Sequence, residues 1–260
     1  MSRLHLNFPC EGQRLVGTLD PGPERTALLL VSGGNEVRAG AWNGQARFAA
    51  RIAARGFPVL RFDRRGIGDS EGENRGFRSS AADIAAARGA LLAQCPQVRR
   101  VIGLGNCDAA SALMLARGAG LDGLILSNPW TIEDDAGEDM PAEVVRDHYR
   151  RRLADPAAIR RLLTGQVSLP GLARSLFAAL RPAPPAPEGL PVQMAQGIRD
   201  FAGPVCFLVA GRDRTGLAFT ARWTAGDTRI RTCPDASHSY VEPAAQDWLV
   251  DQVLEMLRHP

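Results

Sequence analysis

Lysine is missing altogether: the 31 basic residues of this 260-residue chain are all arginine. That excludes Schiff-base catalysis and any phosphate-binding loop that depends on its lysine. Charge of one sign is lacking too, because a net charge of +3 is too small to argue for nucleic acid. No apolar run approaches the length of a membrane span. No basic segment followed by an apolar stretch opens the chain, so no secretory signal is expected. Cysteine is sparse, with Cys10, Cys95, Cys107, Cys206 and Cys233 scattered along the sequence. The number is odd and no paired ligand spacing occurs, which argues against a disulfide framework and a zinc site. A reducing cytoplasm fits that usage. No cofactor and no metal are expected. Histidine is scarcer still, at four positions, and this narrows the search for a general base.

What the chain does have is apolar material: 45% of its residues are hydrophobic. That suffices for a sizeable core and one α/β domain of ordinary size, with room for an insertion. Short apolar runs alternate with longer Ala/Arg-rich stretches of helical pattern. Strands are expected at residues 4–8, 14–19, 27–31, 59–62, 101–104, 123–126, 205–210 and 228–232. Helices are expected at 42–54, 81–94, 109–116 and 244–257, with Ser79 or Ser80 as N-cap of the second. Such alternation gives a mainly parallel sheet with helices on both faces.

Residues 131–203 break the rhythm. They offer helical patterns at 142–153, 157–163, 172–180 and 192–201, a proline-rich joint at 181–187 and no convincing strand. We read them as a helical cap inserted into a core made of residues 1–130 and 204–260. Active-site clefts of open α/β sheets lie at the carboxyl edge of the strands, where such a cap would sit. Trp130, Asp134, Asp135, His148 and Tyr149 fall in or beside this stretch, and the sequence assigns none of them a role. The charged, glycine-rich run at residues 63–70 reads as a tight structural loop beside the same edge.

Between an apolar run and a helix-forming run stands Gly105-Asn106-Cys107-Asp108-Ala109. Small residues two before and two after a nucleophile mark the sharp strand-to-helix turn of a nucleophile elbow. Cys107 fits that register. Asp108 as the nucleophile would put Asn106 and Ala110 in the flanking positions, and Asn106 is too bulky for the close backbone approach. A thiol at a helix N-terminus beside an imidazolium favours thiolate, although free cysteine is also a common small buried residue. His238, just after the last strand, is placed to be the base; His5 lies in the first strand, His148 in the cap and His259 by the terminus. Asp213, at the end of the preceding strand, can orient the imidazole, with Asp235 as the nearest competitor and a plain turn aspartate as the bland reading. The oxyanion hole should use the backbone N–H of Asp108 and that of Gly34, with Asn35 as the alternative for the second. Nucleophile, acid and histidine then follow in the order of the α/β-hydrolase fold.

Val31-Ser-Gly-Gly-Asn35, the stretch Arg61-Phe-Asp-Arg-Arg-Gly-Ile-Gly-Asp-Ser-Glu-Gly72, the Cys107 elbow followed by Asp108-Ala-Ala-Ser-Ala112, and Gly211-Arg-Asp213 together resemble the exosortase A system-associated hydrolase of type one. That is a bacterial α/β-hydrolase family found beside exopolysaccharide and exosortase genes. The resemblance runs along nearly the whole chain and is weakest in the cap. It implies the α/β-hydrolase fold, a cytoplasmic hydrolase or acyltransferase role and a link to polysaccharide production. The sequence departs from the family's form around Asn106 and at Ser237-His-Ser-Tyr240.

The chemistry expected is acyl transfer through a thioester. Because thiolate is a good leaving group, amides tend to revert from the tetrahedral stage, so thioesters, lactones and activated esters are favoured over amides. The partner is a small-molecule acyl substrate, with water or a sugar hydroxyl as acceptor. The rival reading is a non-catalytic scaffold of the same fold that binds a ligand or a biosynthetic partner.

Overall fold

The computed structural model describes residues 3–132 and 189–258, and elements are numbered over these. Strands β1 (Leu4–Cys10) and β2 (Gln13–Asp20) form the opening hairpin. β3 (Thr26–Val31), β4 (Val59–Phe62), β5 (Arg100–Asn106), β6 (Gly123–Ser127), β7 (Val205–Ala210) and β8 (Ile230–Cys233) follow. The eight strands lie in the order β1-β2-β4-β3-β5-β6-β7-β8. The pairs β1/β2 and β2/β4 are antiparallel and all later pairs are parallel. The sheet therefore has the expected, mainly parallel form.

Along each parallel strand the side chains alternate between two cores, as a two-residue repeat requires. In β7, Phe207 and Val209 enter one apolar cluster while Cys206 and Leu208 enter the other. The first cluster is covered by α2 (Ala81–Gln94), α3 (Asp108–Leu115) and α4 (Leu190–Arg199), and the second by α1 (Gly44–Ala53) and α6 (Pro243–Arg258). A short helix, α5 (Arg214–Arg222), follows β7 and adds Phe219 to the first cluster. Phe207, Phe219 and Trp223 pack there with ring centroids 5.0–5.1 Å apart, a spacing that adds to their area burial.

Two expectations change. Ser80 occupies the N-cap position of α2 but its hydroxyl does not cap; it accepts instead from the Arg64 guanidinium at 3.1 Å, a stronger, charge-assisted partner. Helix α4 was expected within a cap ending at residue 203. Its Leu190, Met194 and Ile198, on one helical face, are buried in the first core cluster. At Gly197 a Cβ would overlap the Met114 carbonyl oxygen of α3, so the two helices meet backbone to backbone. This helix is part of the layer over the sheet. The helical patterns at 142–153, 157–163 and 172–180, and with them Asp134, Asp135, His148 and Tyr149, lie outside the described residues.

Candidate active site

The parallel strands end on one edge, and that edge carries the site. β5 runs to Asn106, Cys107 stands alone at φ 61 and ψ −126, and α3 begins at Asp108. A non-glycine residue held at positive φ costs on the order of 1–3 kcal/mol and persists only where the surroundings impose it. Here they do. A Cβ at Gly105 would stand 2.6 Å from the Ala109 carbonyl carbon, so glycine at 105 lets the first turn of α3 fold back over the strand. The Cys107 carbonyl accepts from Ala110 at 3.1 Å and from Trp130 at 3.2 Å, and the Ser111 hydroxyl donates to the Trp130 carbonyl at 2.7 Å. Trp130 thus braces the elbow through its backbone. Cys107 itself is half-buried, whereas Cys10, Cys95 and Cys206 are buried.

Asp213 ends β7 as the N-cap of α5. Its carboxylate accepts from the Thr215 and Gly216 N–H groups at 3.2 and 3.1 Å, and its Oδ2 lies 2.8 Å from His238 Nδ1. The cap fixes the carboxylate, and the carboxylate fixes the ring. Asp213, not Asp235, is the acid beside His238. The other ring nitrogen, Nε2, lies 3.4 Å from Asn106 Nδ2, and Cys107 neighbours the same ring. The Asp213 carboxylate, then the neighbouring Cys107, hold the His238 pKa up at about 10 against the opposing effect of burial. A ring with that value carries its proton at neutral pH. The structure brings Cys107, His238 and Asp213 together as the sequence order implies.

Two residues to which the sequence reading gives no role in the site complete the frame. Asn106 donates through Nδ2 to the His238 carbonyl at 3.3 Å. Its Oδ1 accepts from Asn128 Nδ2 at 3.0 Å. Asn128, fully buried at φ 42, accepts in turn from the Ala210 N–H at 2.8 Å. This chain of amides ties the ends of β5, β6 and β7 to the histidine loop. Below it the Tyr240 and Ser127 hydroxyls meet at 3.0 Å, and burial pushes the Tyr240 pKa up. Position directly after a strand was the signal available for Asn128; apart from the adjacent Ser127 hydroxyl, side-chain partners at Asn106, Ala210 and His238 lie 22, 82 and 110 residues away in sequence.

The loop after β3 brings Gly34, at φ 55, to the elbow. Its N–H, expected to serve the oxyanion hole, donates to the Asp108 carboxylate, with Oδ1 at 2.6 Å. The Asn35 side chain is engaged by Asn74 at 2.9 Å. The 63–70 loop is structural, as read. Buried Asp63 accepts from the Arg38 and Asp69 N–H groups at 2.5 and 3.1 Å and from the Arg38 guanidinium. A groove of about 360 Å³ between β1 and α2, lined by Leu6, Phe8 and Ala90 among others, is remote from these residues in the sheet.

The alpha/beta hydrolase family model matches residues 28–252. No curated protein matches the chain. Among solved structures, an alpha/beta hydrolase from Penicillium sp. superposes with a TM-score of 0.65 at 16% identity, covering 99% of this chain and 98% of that one. An esterase of Pyrococcus furiosus gives 0.60 at 16% identity over 99% and 90%. A thioesterase domain from the curacin biosynthetic pathway gives 0.57 at 14% identity over 98% and 100%. At these identities the likeness is one of fold.

Proposed function

The chain belongs to the alpha/beta hydrolase family, and we propose that within it this protein transfers acyl groups through a thioester on Cys107. The observation that carries the reading is the alignment at His238: Asp213 at 2.8 Å on Nδ1 and Cys107 beside the same ring, at a strained elbow. Thiolate attacks the acyl carbonyl and a C–S bond forms. The carbonyl electrons move onto oxygen and return as the bond to the leaving group breaks. His238 gives that group its proton. Water, or a sugar hydroxyl in the transfer variant, then cleaves the thioester, with His238 taking the acceptor's proton. An esterase and a thioesterase domain among the structural neighbours agree with ester or thioester substrates. The resemblance to the exosortase-associated hydrolases supports a place in exopolysaccharide production. Five unpaired cysteines support a reducing compartment such as the cytoplasm.

One observation favours the rival reading of a binding scaffold: the Gly34 N–H is already occupied. Intact-mass spectrometry after brief incubation with a panel of acyl thioesters and aryl esters separates the two. A transient acyl adduct on wild type and none on Cys107→Ala is the expected result. No adduct and no turnover across the panel, with an unreactive Cys107, would leave the scaffold.

A further inference from the structure

An N–H carries one proton, and an oxyanion bound by it must sit about 2.7–3.1 Å from the nitrogen. At Gly34 the Asp108 carboxylate oxygen fills that place. The seat is shaped for it. A Cβ at Gly33 would stand 2.6 Å from Asp108 Oδ1 and 2.7 Å from the Asn106 carbonyl oxygen, so the carboxylate fits because residue 33 has no side chain. Arg64, whose side chain is 6% exposed, lies beneath. Its guanidinium donates to the Gly34 carbonyl and to Ser80 Oγ and stands 3.6 Å from Asp108 Oδ2. A buried cation thus joins the two stretches that supply the expected oxyanion donors. The same residue that offers one donor through its backbone blocks the other with its side chain. A seated carboxylate also sets negative charge where the reaction must build more, which opposes the transition state.

We propose that Asp108 is a substrate-displaced plug of the oxyanion hole: its carboxylate holds the Gly34 N–H until an acyl carbonyl takes that place, then moves onto the Arg64 guanidinium. The displacement exchanges one acceptor for another and breaks no covalent bond. It rests on the acyl-transfer reading of Cys107 and adds a specificity rule to it. Small activated esters bring little binding energy with which to unseat the plug. Substrates with extensive contacts remote from the carbonyl bring more, and spend it on this step.

The test compares wild type, Asp108→Asn and Asp108→Ala on a small aryl ester, each beside its Cys107→Ala counterpart. Removing the plug should raise kcat/KM about tenfold or more in Asp108→Ala, the factor matching loss of a hydrogen bond to a charged group. Asp108→Asn, which keeps a weaker neutral acceptor, should gain less. Formate should inhibit Asp108→Ala by refilling the vacated seat and leave wild type unaffected. Cys107-dependent turnover that is unchanged or lower in both variants would overturn the plug and leave acyl transfer standing. No Cys107-dependent turnover in any protein would remove the acyl-transfer reading, and the plug with it. The Gly34 amide proton gives a readout independent of activity: its resonance should move upfield from wild type to Asp108→Asn, and a fixed resonance would overturn the proposal.

Discussion

One carboxylate, that of Asp213, both caps α5 and holds the His238 ring. These roles separate by mutation. Asparagine is as good an N-cap as aspartate but cannot stabilise an imidazolium. Asp213→Asn should therefore lower the urea midpoint at pH 7 only by the modest share that the histidine pair contributes, while turnover falls by roughly 10²–10⁴-fold. The ring itself sets a pH window. Its pKa lies at about 10 against an ordinary 6.5. A raised value means the folded state holds the proton more tightly, so this contribution to stability is fully present below about 6.5 and is lost as pH rises through about 10. With 40% of the side chain exposed, solvent screening keeps it modest. Urea midpoints of wild type should converge on those of His238→Gln between pH 7 and 10.5; a constant difference would contradict the assignment. Asn128 was invisible as a site residue because its worth is its partners. Asn128→Ala would strand the buried Ala210 N–H and should cost about 1–3 kcal/mol, measured by chemical denaturation.

At the scale of elements, periodicity and turn chemistry carried most of the fold. The bounds of β4, β7 and α2 agree with the sequence reading, because uninterrupted apolar runs and a long alanine-rich helix leave few competing structures. The elbow was legible for a similar reason: glycine at 105 and alanine at 109 are local requirements of a sharp turn. The sequence reading places helix α4 in the cap, and its Leu190, Met194 and Ile198 are buried in the first core cluster. Its apolar stripe is the same whether it faces a cap or a sheet, and only the contact with α3 decides. That contact makes a sharp prediction. Gly197→Ala adds a methyl group against the Met114 carbonyl, and despite alanine's better helix propensity it should destabilise by about 1–3 kcal/mol. A raised melting temperature would mean the two backbones are not in close contact.

For the whole molecule, the five thiols form a contrast. Burial and the neighbouring Asp83 push the Cys10 pKa up to about 11, and burial raises those of Cys95, Cys206 and Cys233. Cys107 is the thiol beside the His238 imidazole, whose pKa lies at about 10. Brief exposure to iodoacetamide at pH 7.5 should place a single adduct, which peptide mapping locates at Cys107. Several equally modified thiols would argue against an activated nucleophile. The sheet itself brings this selectivity about: it buries Cys10 and Cys206 within its layers and leaves the elbow on its carboxyl edge.

The sequence by itself determined the succession of strands and the sharp turn at Cys107, and it proposed His238 and Asp213 as that residue's partners, since each rests on local pattern or on position after a strand. The tertiary structure alone decided which groups meet: Asn128 with Asn106, α4 with α3, and Asp108 with the Gly34 N–H across 74 residues. A side chain's identity limits what it can donate or accept, but its partner is chosen by the backbone that arrives beside it, and that depends on packing far along the chain.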